Sequence, residues 1–497
     1  MAYLRSLAGD GPYEYNSRSL AYLLAGLLSF RIIALYFNQT DLFFDEAQYW
    51  LWGKEPDFGY FSKPPVLGWT IGAFTGVFGS DSPFIIRLAS PIMHTITAMF
   101  IYLAANEIYE WDTRIGFWSA VAYATLPAVS LSSTLISTDV PLLMFWSAAL
   151  YGFTRLFRGI IIPTGWIIGA ALGLGLMSKY AMVFFVICAS LYFLFENREM
   201  GWRLLASKAL IIIFGLAFLI LLPNIHWNLN NGLATVSHTA DNANWGQSMF
   251  HPQKLVEFFG AQFGVFGPIM FGSLLVILWR HIRGEKDRPI RMLLWFSVPI
   301  ILVIMTQAFL SRAHANWAAT AYPAATILVT AVFVQKGPWR LFQGSLVLHL
   351  IFMVLISLGA VFAPKVNLPI KADPYYRTLG WAAFSDDVRE KLKGGGYGAV
   401  LAHRRVVAAE LIYYLRDLKT LVKMWKPNPN PHNHYEMTRP FNALVKEPVL
   451  YVSDKKVSQE VLGKFANVEL IGTRDIAASA KRARRFTYYR LSGFKGK

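Results

Sequence analysis

The sequence predicts a polytopic α-helical membrane protein followed by a soluble α/β domain. Three observations carry that prediction. The 497 residues are 55% hydrophobic and only 15% charged, and the apolar residues gather in stretches about twenty long. A helix needs about twenty such residues to cross ~30 Å of hydrocarbon, so the chain is expected to cross many times. Basic residues fall mainly on alternate connections. From about residue 364 the long apolar stretches stop.

Eleven spans are expected, near 20–37, 84–105, 114–133, 140–157, 162–178, 180–195, 207–225, 259–279, 292–310, 316–335 and 341–363. No small-residue cleavage site follows the first, so it reads as a retained helix and not as a removed signal. The stretch "PPVLGWTIGAFTGVFG" (64–79) is apolar but short and glycine-rich. Its length suits an interfacial or re-entrant segment. With it lying on the membrane and the N-terminus inside, fifteen Lys and Arg from Arg5 to Arg340 fall on the cytoplasmic side. The outer loops before 364 then hold five: Lys54, Lys63, Lys179, Lys254 and Arg312. This bias predicts a cytoplasmic N-terminus and an outward C-terminal domain. The expected domains are 1–363 in the membrane and 364–497 outside it. Arg31, inside the first span, is expected to snorkel or to pair with an acid. The only cysteine, Cys188, lies in an apolar stretch, which excludes an intramolecular disulfide.

The tail reads as a strand then an amphipathic helix over "VLAHRRVVAAELIYYLRD" (400–417). Further strands are expected in 447–454, 466–473 and 484–492, from their β-branched and aromatic content. It holds 25 Lys and Arg against 12 Asp and Glu, +13 of the chain's +17. A basic domain of this kind suits anionic head groups on lipids or glycolipids.

The predicted topology brings the scarce polar residues to one membrane face. "DLFFDEAQYWLWG" (41–53) supplies Asp45 and Glu46, and "GYFSKPP" adds Tyr60 and Lys63. "LISTDVP" places Asp139, where a helix N-cap is an alternative role. "MSKYA" gives Lys179, the long loop after residue 223 gives His226, and "SRAHANW" gives Arg312 and His314. Charges at helix ends within a bundle are costly unless paired or functional. The aromatics at 49, 50 and 52 fit interfacial anchors. The outer histidines match no compact ligand spacing, so no metal is expected to be required. No glycine-rich phosphate loop accompanies them, which argues against a soluble nucleotide-sugar donor.

The acidic pair, the following "KPP", the second Asp and the basic tail together resemble lipid-dependent glycosyltransferases of the GT-C class. Within it they resemble the branch related to protein O-mannosyltransferases and aminoarabinose transferases. "FFDEAQYWLWGKEPDFGYFSKPPVLGW" is most similar to the lipopolysaccharide core and lipid A galacturonosyltransferases of the rhizobial type. The resemblance covers residues 20 to about 335. It implies a polyprenyl-phosphate-sugar donor and an anionic glycolipid acceptor on the periplasmic face of a bacterial inner membrane, with no nucleic-acid partner. It gives Asp45 the main catalytic role and Asp139 the second acidic position, with Glu46 in support. Lys63, Lys179 and Arg312 are candidates to neutralise the departing phosphate, and Tyr60, His226 and His314 to line the substrate. Ser62 stands where aminoarabinose transferases tend to carry an acid, which weakens transfer of any metal site from that subgroup. A protein O-mannosyltransferase is the main alternative. A secondary transporter is the other; no internal repeat supports it, and the polar residues lie at the edge of the membrane instead of at its midplane.

Overall fold

The computed structural model describes residues 15–159, 161–243, 250–284, 287–366, 373–418, 421–455, 457–479 and 481–496. Arg5 and Lys286, both counted in the charge bias, lie outside them. The chain divides into two compact units.

The first unit takes in the described residues of 15–35, 63–67 and 87–357, and these are helical. Among the described residues, six helices are individually long and apolar enough to cross a membrane. They are Ser17–Tyr36, Pro83–Ile108, Lys208–Asn230, Arg288–Leu310, Ala315–Gln335 and Trp339–Val361. Other expected spans differ in form for local reasons. The 114–133 segment breaks at Leu126 into Thr113–Thr125 and Pro127–Ser132, because Pro127 cannot continue the hydrogen-bond ladder. Those at 140–157, 162–178 and 180–195 are the helices Asp139–Leu156, Ile161–Ser178 and Val183–Phe195. At ~1.5 Å per residue they reach roughly 20–27 Å.

The span expected at 259–279 is not a straight helix. Pro252–Val265 and Pro268–Ile282 meet at 114°. Gly267 turns the corner at φ +89°, and a Cβ there would meet His349 Nε2 at 2.2 Å. Only glycine combines that backbone with so close a neighbour.

Among the described residues Arg31 meets no acid, and it does not snorkel. It is buried and its guanidinium donates to the Ala124 carbonyl. The helix break at Leu126 leaves that carbonyl at a helix end, where a cation is favourable.

Helix Ile161–Ser178 carries Gly165, Gly169 and Gly173 at four-residue spacing along its contact with Lys208–Asn230. A Cβ on Gly169 would lie 2.9 Å from the Ile213 carbonyl oxygen. Small residues at this spacing let helix backbones approach, the favoured packing device where lipid removes the hydrophobic drive.

The second unit comprises residues 36–62, 68–86 and 358–497. Its sheet has the order β2-β1-β3-β5-β4, with β1 Ala399–Ala402, β2 Leu421–Met424, β3 Val449–Ser453, β4 Phe465–Ser479 and β5 Arg482–Phe494. Strand β1 runs parallel to β2 and β3, and β5 is antiparallel to β3 and β4. β1 and β3 are buried throughout, the pattern of parallel strands covered on both faces. The short β2 is an addition to the expected strands. The same unit packs the first loop against the tail. Helix Phe44–Lys54 crosses helix Val66–Val77 so closely that a Cβ on Gly53 would lie 2.7 Å from the Gly72 nitrogen. At twelve residues, roughly 18 Å, Val66–Val77 is too short to span.

Candidate functional site

Three acids open the "DLFFDEAQYWLWG" segment, and the second unit gives each a different task. Asp41 Oδ2 accepts the backbone N–H of Trp381 at 2.7 Å, and Oδ1 accepts the Tyr414 hydroxyl at 3.3 Å. It therefore caps the start of helix Trp381–Gly395, where backbone donors lack partners and a negative charge is favourable. Glu46 Oε2 accepts the N–H of Phe43 at 2.8 Å, closing the first turn of its own helix. Its residue is 1% exposed. Asp45 remains part-open, with 30% of its side chain exposed, and its Oδ1 lies 2.9 Å from an Arg405 nitrogen.

Arg405 begins the helix Arg405–Tyr414, just beyond the carboxyl end of β1. Its Nη1 donates to Gln48 Oε1 at 3.3 Å, and its guanidinium sits 4.7 Å from the Phe44 ring centre. Arg377 lies over Phe43 at 4.7 Å. These cation–π contacts hold the guanidinium planes against the first turn of helix Phe44–Lys54. Reading from sequence missed Arg405, which lies 360 positions from Asp45 and belongs to a basic tail with many arginines.

The aromatics after Asp45 build this platform. Tyr49, Trp50 and Trp52 are buried and not interfacial. Trp52 stacks on Tyr60 with centroids 4.4 Å apart, and the Tyr60 hydroxyl reaches the Trp52 carbonyl at 2.7 Å. Burial holds that phenol protonated by raising its pKa. Tyr60 thus supports the helix from within. Trp50 donates to Asp81 at 2.9 Å and Lys54 pairs with the same carboxylate at 2.6 Å.

His434 meets the Trp52 ring edge-on at 5.6 Å. Among the described residues, neither of its ring nitrogens has a hydrogen-bond partner. Burial, then the nearby Arg439 and Arg405 charges, push its pKa down to about 3.

In the first unit, Asp139 is the first residue of helix Asp139–Leu156. Both carboxylate oxygens are taken up, Oδ1 by Lys179 Nζ at 2.6 Å and Oδ2 by Asn316 Nδ2 at 2.6 Å. The side chains of Asp139 and Lys179 are 11% and 18% exposed. Three segments that the sequence placed in separate outer turns thus meet at one carboxylate. Next to Lys179, the Tyr180 hydroxyl donates to Asn224 at 2.8 Å. Arg312, His314 and His226 are exposed, and His226 Nε2 lies 3.0 Å from Asn230 Nδ2. Lys63 is half-buried in the turn before helix Val66–Val77. Among the described residues no three His, Cys, Asp or Glu side chains are grouped to hold a metal.

Residues 62–227 match the family model described as dolichyl-phosphate-mannose-protein mannosyltransferase. Lipid A galacturonosyltransferase RgtD of Rhizobium johnstonii is 35% identical over 88% of this chain and 91% of its own length. Lipopolysaccharide core galacturonosyltransferase RgtA of the same organism is 27% identical over 44% of the chain and 43% of its own. The crystal structure of ArnT from Cupriavidus metallidurans bound to undecaprenyl phosphate superposes with a TM-score of 0.68. That match covers 97% of this chain and 100% of the other at 14% identity. It establishes the shared fold.

Proposed function

This chain belongs to the GT-C glycosyltransferase family of the bacterial lipopolysaccharide galacturonosyltransferases, and we propose that it transfers galacturonic acid or a related sugar to lipid A or the core. The donor is a polyprenyl-phosphate sugar, the kind of lipid carrier bound in the ArnT structure. The acceptor meets it on the periplasmic face of the inner membrane, with the N-terminus in the cytoplasm and the basic C-terminal domain (364–497) outside. The observation that carries the reading is the contrast among Asp41, Asp45 and Glu46. Two of the three serve helix starts, while Asp45 holds a part-exposed carboxylate against the Arg405 guanidinium.

In the proposed reaction an acceptor oxygen attacks the anomeric carbon as the bond from that carbon to the phosphate oxygen breaks. The polyprenyl phosphate leaves with the bonding electrons, and the anomeric centre inverts. With a hydroxyl acceptor, Asp45 takes its proton, a contribution of ~10²–10⁴-fold. With a phosphate acceptor the nucleophile is already ionised, and Asp45 orients it. Lys63 and Arg312 are assigned the negative charge of the departing phosphate. Asp139 holds Lys179 in place through their ion pair, and Glu46 acts by fixing the helix that carries Asp45.

The test is transfer by the purified full-length protein, given polyprenyl-phosphate galacturonic acid and lipid A. Labelled lipid A with wild type, and at least a hundredfold less with Asp45→Asn, is the expected result. Labelling of a peptide from a mannosyl donor, with lipid A unlabelled, would replace this reading with protein O-mannosylation.

A further inference from the structure

We propose that Arg405 is a positioning residue for the transfer reaction, holding the Asp45 carboxylate in its working orientation. The inference rests on the reading of Asp45 as the reacting carboxylate. Four observations point to it. Arg405 engages Asp45 through one nitrogen at 2.9 Å and Gln48 through another at 3.3 Å. Asp45 and Gln48 are three residues apart, hence on the same helix face, and the planar guanidinium bridges them. The Phe44 ring lies 4.7 Å from the guanidinium and restricts where it can move. Gln48 is 1% exposed, so the second anchor is a fixed one.

Arg405 also sits where α/β folds place functional groups. It follows the carboxyl end of β1, a strand flanked on both sides by parallel neighbours. Arg404, the residue before it, is turned the other way into an ion pair with Asp454. The connection thus splits two adjacent arginines between a structural task and the face of Asp45.

The physical role follows from geometry. A carboxylate on the first turn of a helix can rotate about χ1 and χ2, and only a fraction of its rotamers point an oxygen at a given nucleophile. Binding Oδ1 to a guanidinium that is itself anchored twice selects one orientation while part of the carboxylate stays exposed. A misplacement of about 1 Å can cost ~10²-fold in rate. Lysine cannot reproduce the arrangement, because it carries a point charge and not a planar fork.

The experiment compares Arg405→Ala, Arg405→Lys and Arg416→Leu with wild type in the full-length protein. The assay is transfer from polyprenyl-phosphate galacturonic acid to lipid A, with donor concentration varied. Arg416 serves as control: its guanidinium packs on Tyr413 of the same helix at 4.4 Å. The expected result is a fall in kcat of roughly 10–10²-fold for Arg405→Ala, with the donor KM within about twofold of wild type. Added guanidinium should restore part of the lost rate to Arg405→Ala. Arg405→Lys should recover only part of it, and Arg416→Leu should keep the wild-type kcat. A raised donor KM with unchanged kcat would make Arg405 a substrate-binding group and overturn the proposal. Equal losses for Arg405→Ala and Arg416→Leu, tracking a common fall in Tm, would reduce it to a structural contact. Asp45→Asn separates the two levels. If it is inactive while Arg405→Ala turns over normally, only this inference fails; if it is fully active, the reading of Asp45 fails first.

Discussion

Asp139 and Lys179 form a largely enclosed ion pair, and its arithmetic differs from that of a surface pair. Removing one partner leaves the other charge buried without compensation, a loss of about 3–5 kcal/mol. Asp139→Ala is therefore expected to lower the thermal stability of the purified protein markedly. Asp139→Leu combined with Lys179→Met should recover most of that stability while transfer remains impaired. Equal stability of single and double variants would show that the pair is not the source of the loss. Single residues also differ in how far the sequence alone reveals them. Asp45, Glu46, Asp139 and Lys179 stand out because charges are rare in an apolar chain. Arg405 and Asp41 as a cap did not, since their meaning comes from partners hundreds of positions away; Asn316 was visible in its outer turn, but not its bond to Asp139. Tyr60 looked like a substrate residue because a polar aromatic at a membrane edge has both uses; its stacking on Trp52 is a contact no local pattern encodes.

At the level of elements, the helix that carries Asp45 is set by its crossing with Val66–Val77. Gly53 and Gly72 touch there, with room for no further atom. Gly53→Val should push the helices apart, costing about 1–3 kcal/mol through overpacking, and should lower transfer because Asp45 moves with its helix. Unaltered Tm and rate would show that the crossing tolerates displacement. The apolar stretches were readable as helices, and the tail's strands as strands, because hydrophobic period and length carry that information. Their breaks were harder to place. Pro127 and Gly267 were visible as letters, but the 114° corner at Gly267 and the approach of His349 to it were not. The spans at 114–133 and 259–279 were expected to be continuous because their apolar composition runs on through both breaks.

For the molecule as a whole, His434 ties stability to pH. Its folded pKa of about 3 lies below the unfolded value near 6.5, so the unfolded chain binds the extra proton first. Stability is full above pH ~6.5 and is lost as pH falls through the interval toward 3. At pH 5 the loss is about 2 kcal/mol for this group. Tm measured at pH 7 and pH 5 should fall in wild type and fall less in His434→Phe; identical slopes would show that His434 does not set the pH dependence. The grouping of residues 36–62 with the C-terminal domain was not legible in sequence, where 364 marks the change of composition.

Whether Asp45 drives sugar transfer to lipopolysaccharide is best decided by mass spectrometry of that glycolipid, with lipid A and core separated. Cells lacking the gene are compared with the same cells carrying wild type or Asp45→Asn. A hexuronic acid should disappear without the gene and return only with wild type. Lipopolysaccharide unchanged by loss of the gene, or a hexuronic acid fully restored by Asp45→Asn, would contradict the proposed role.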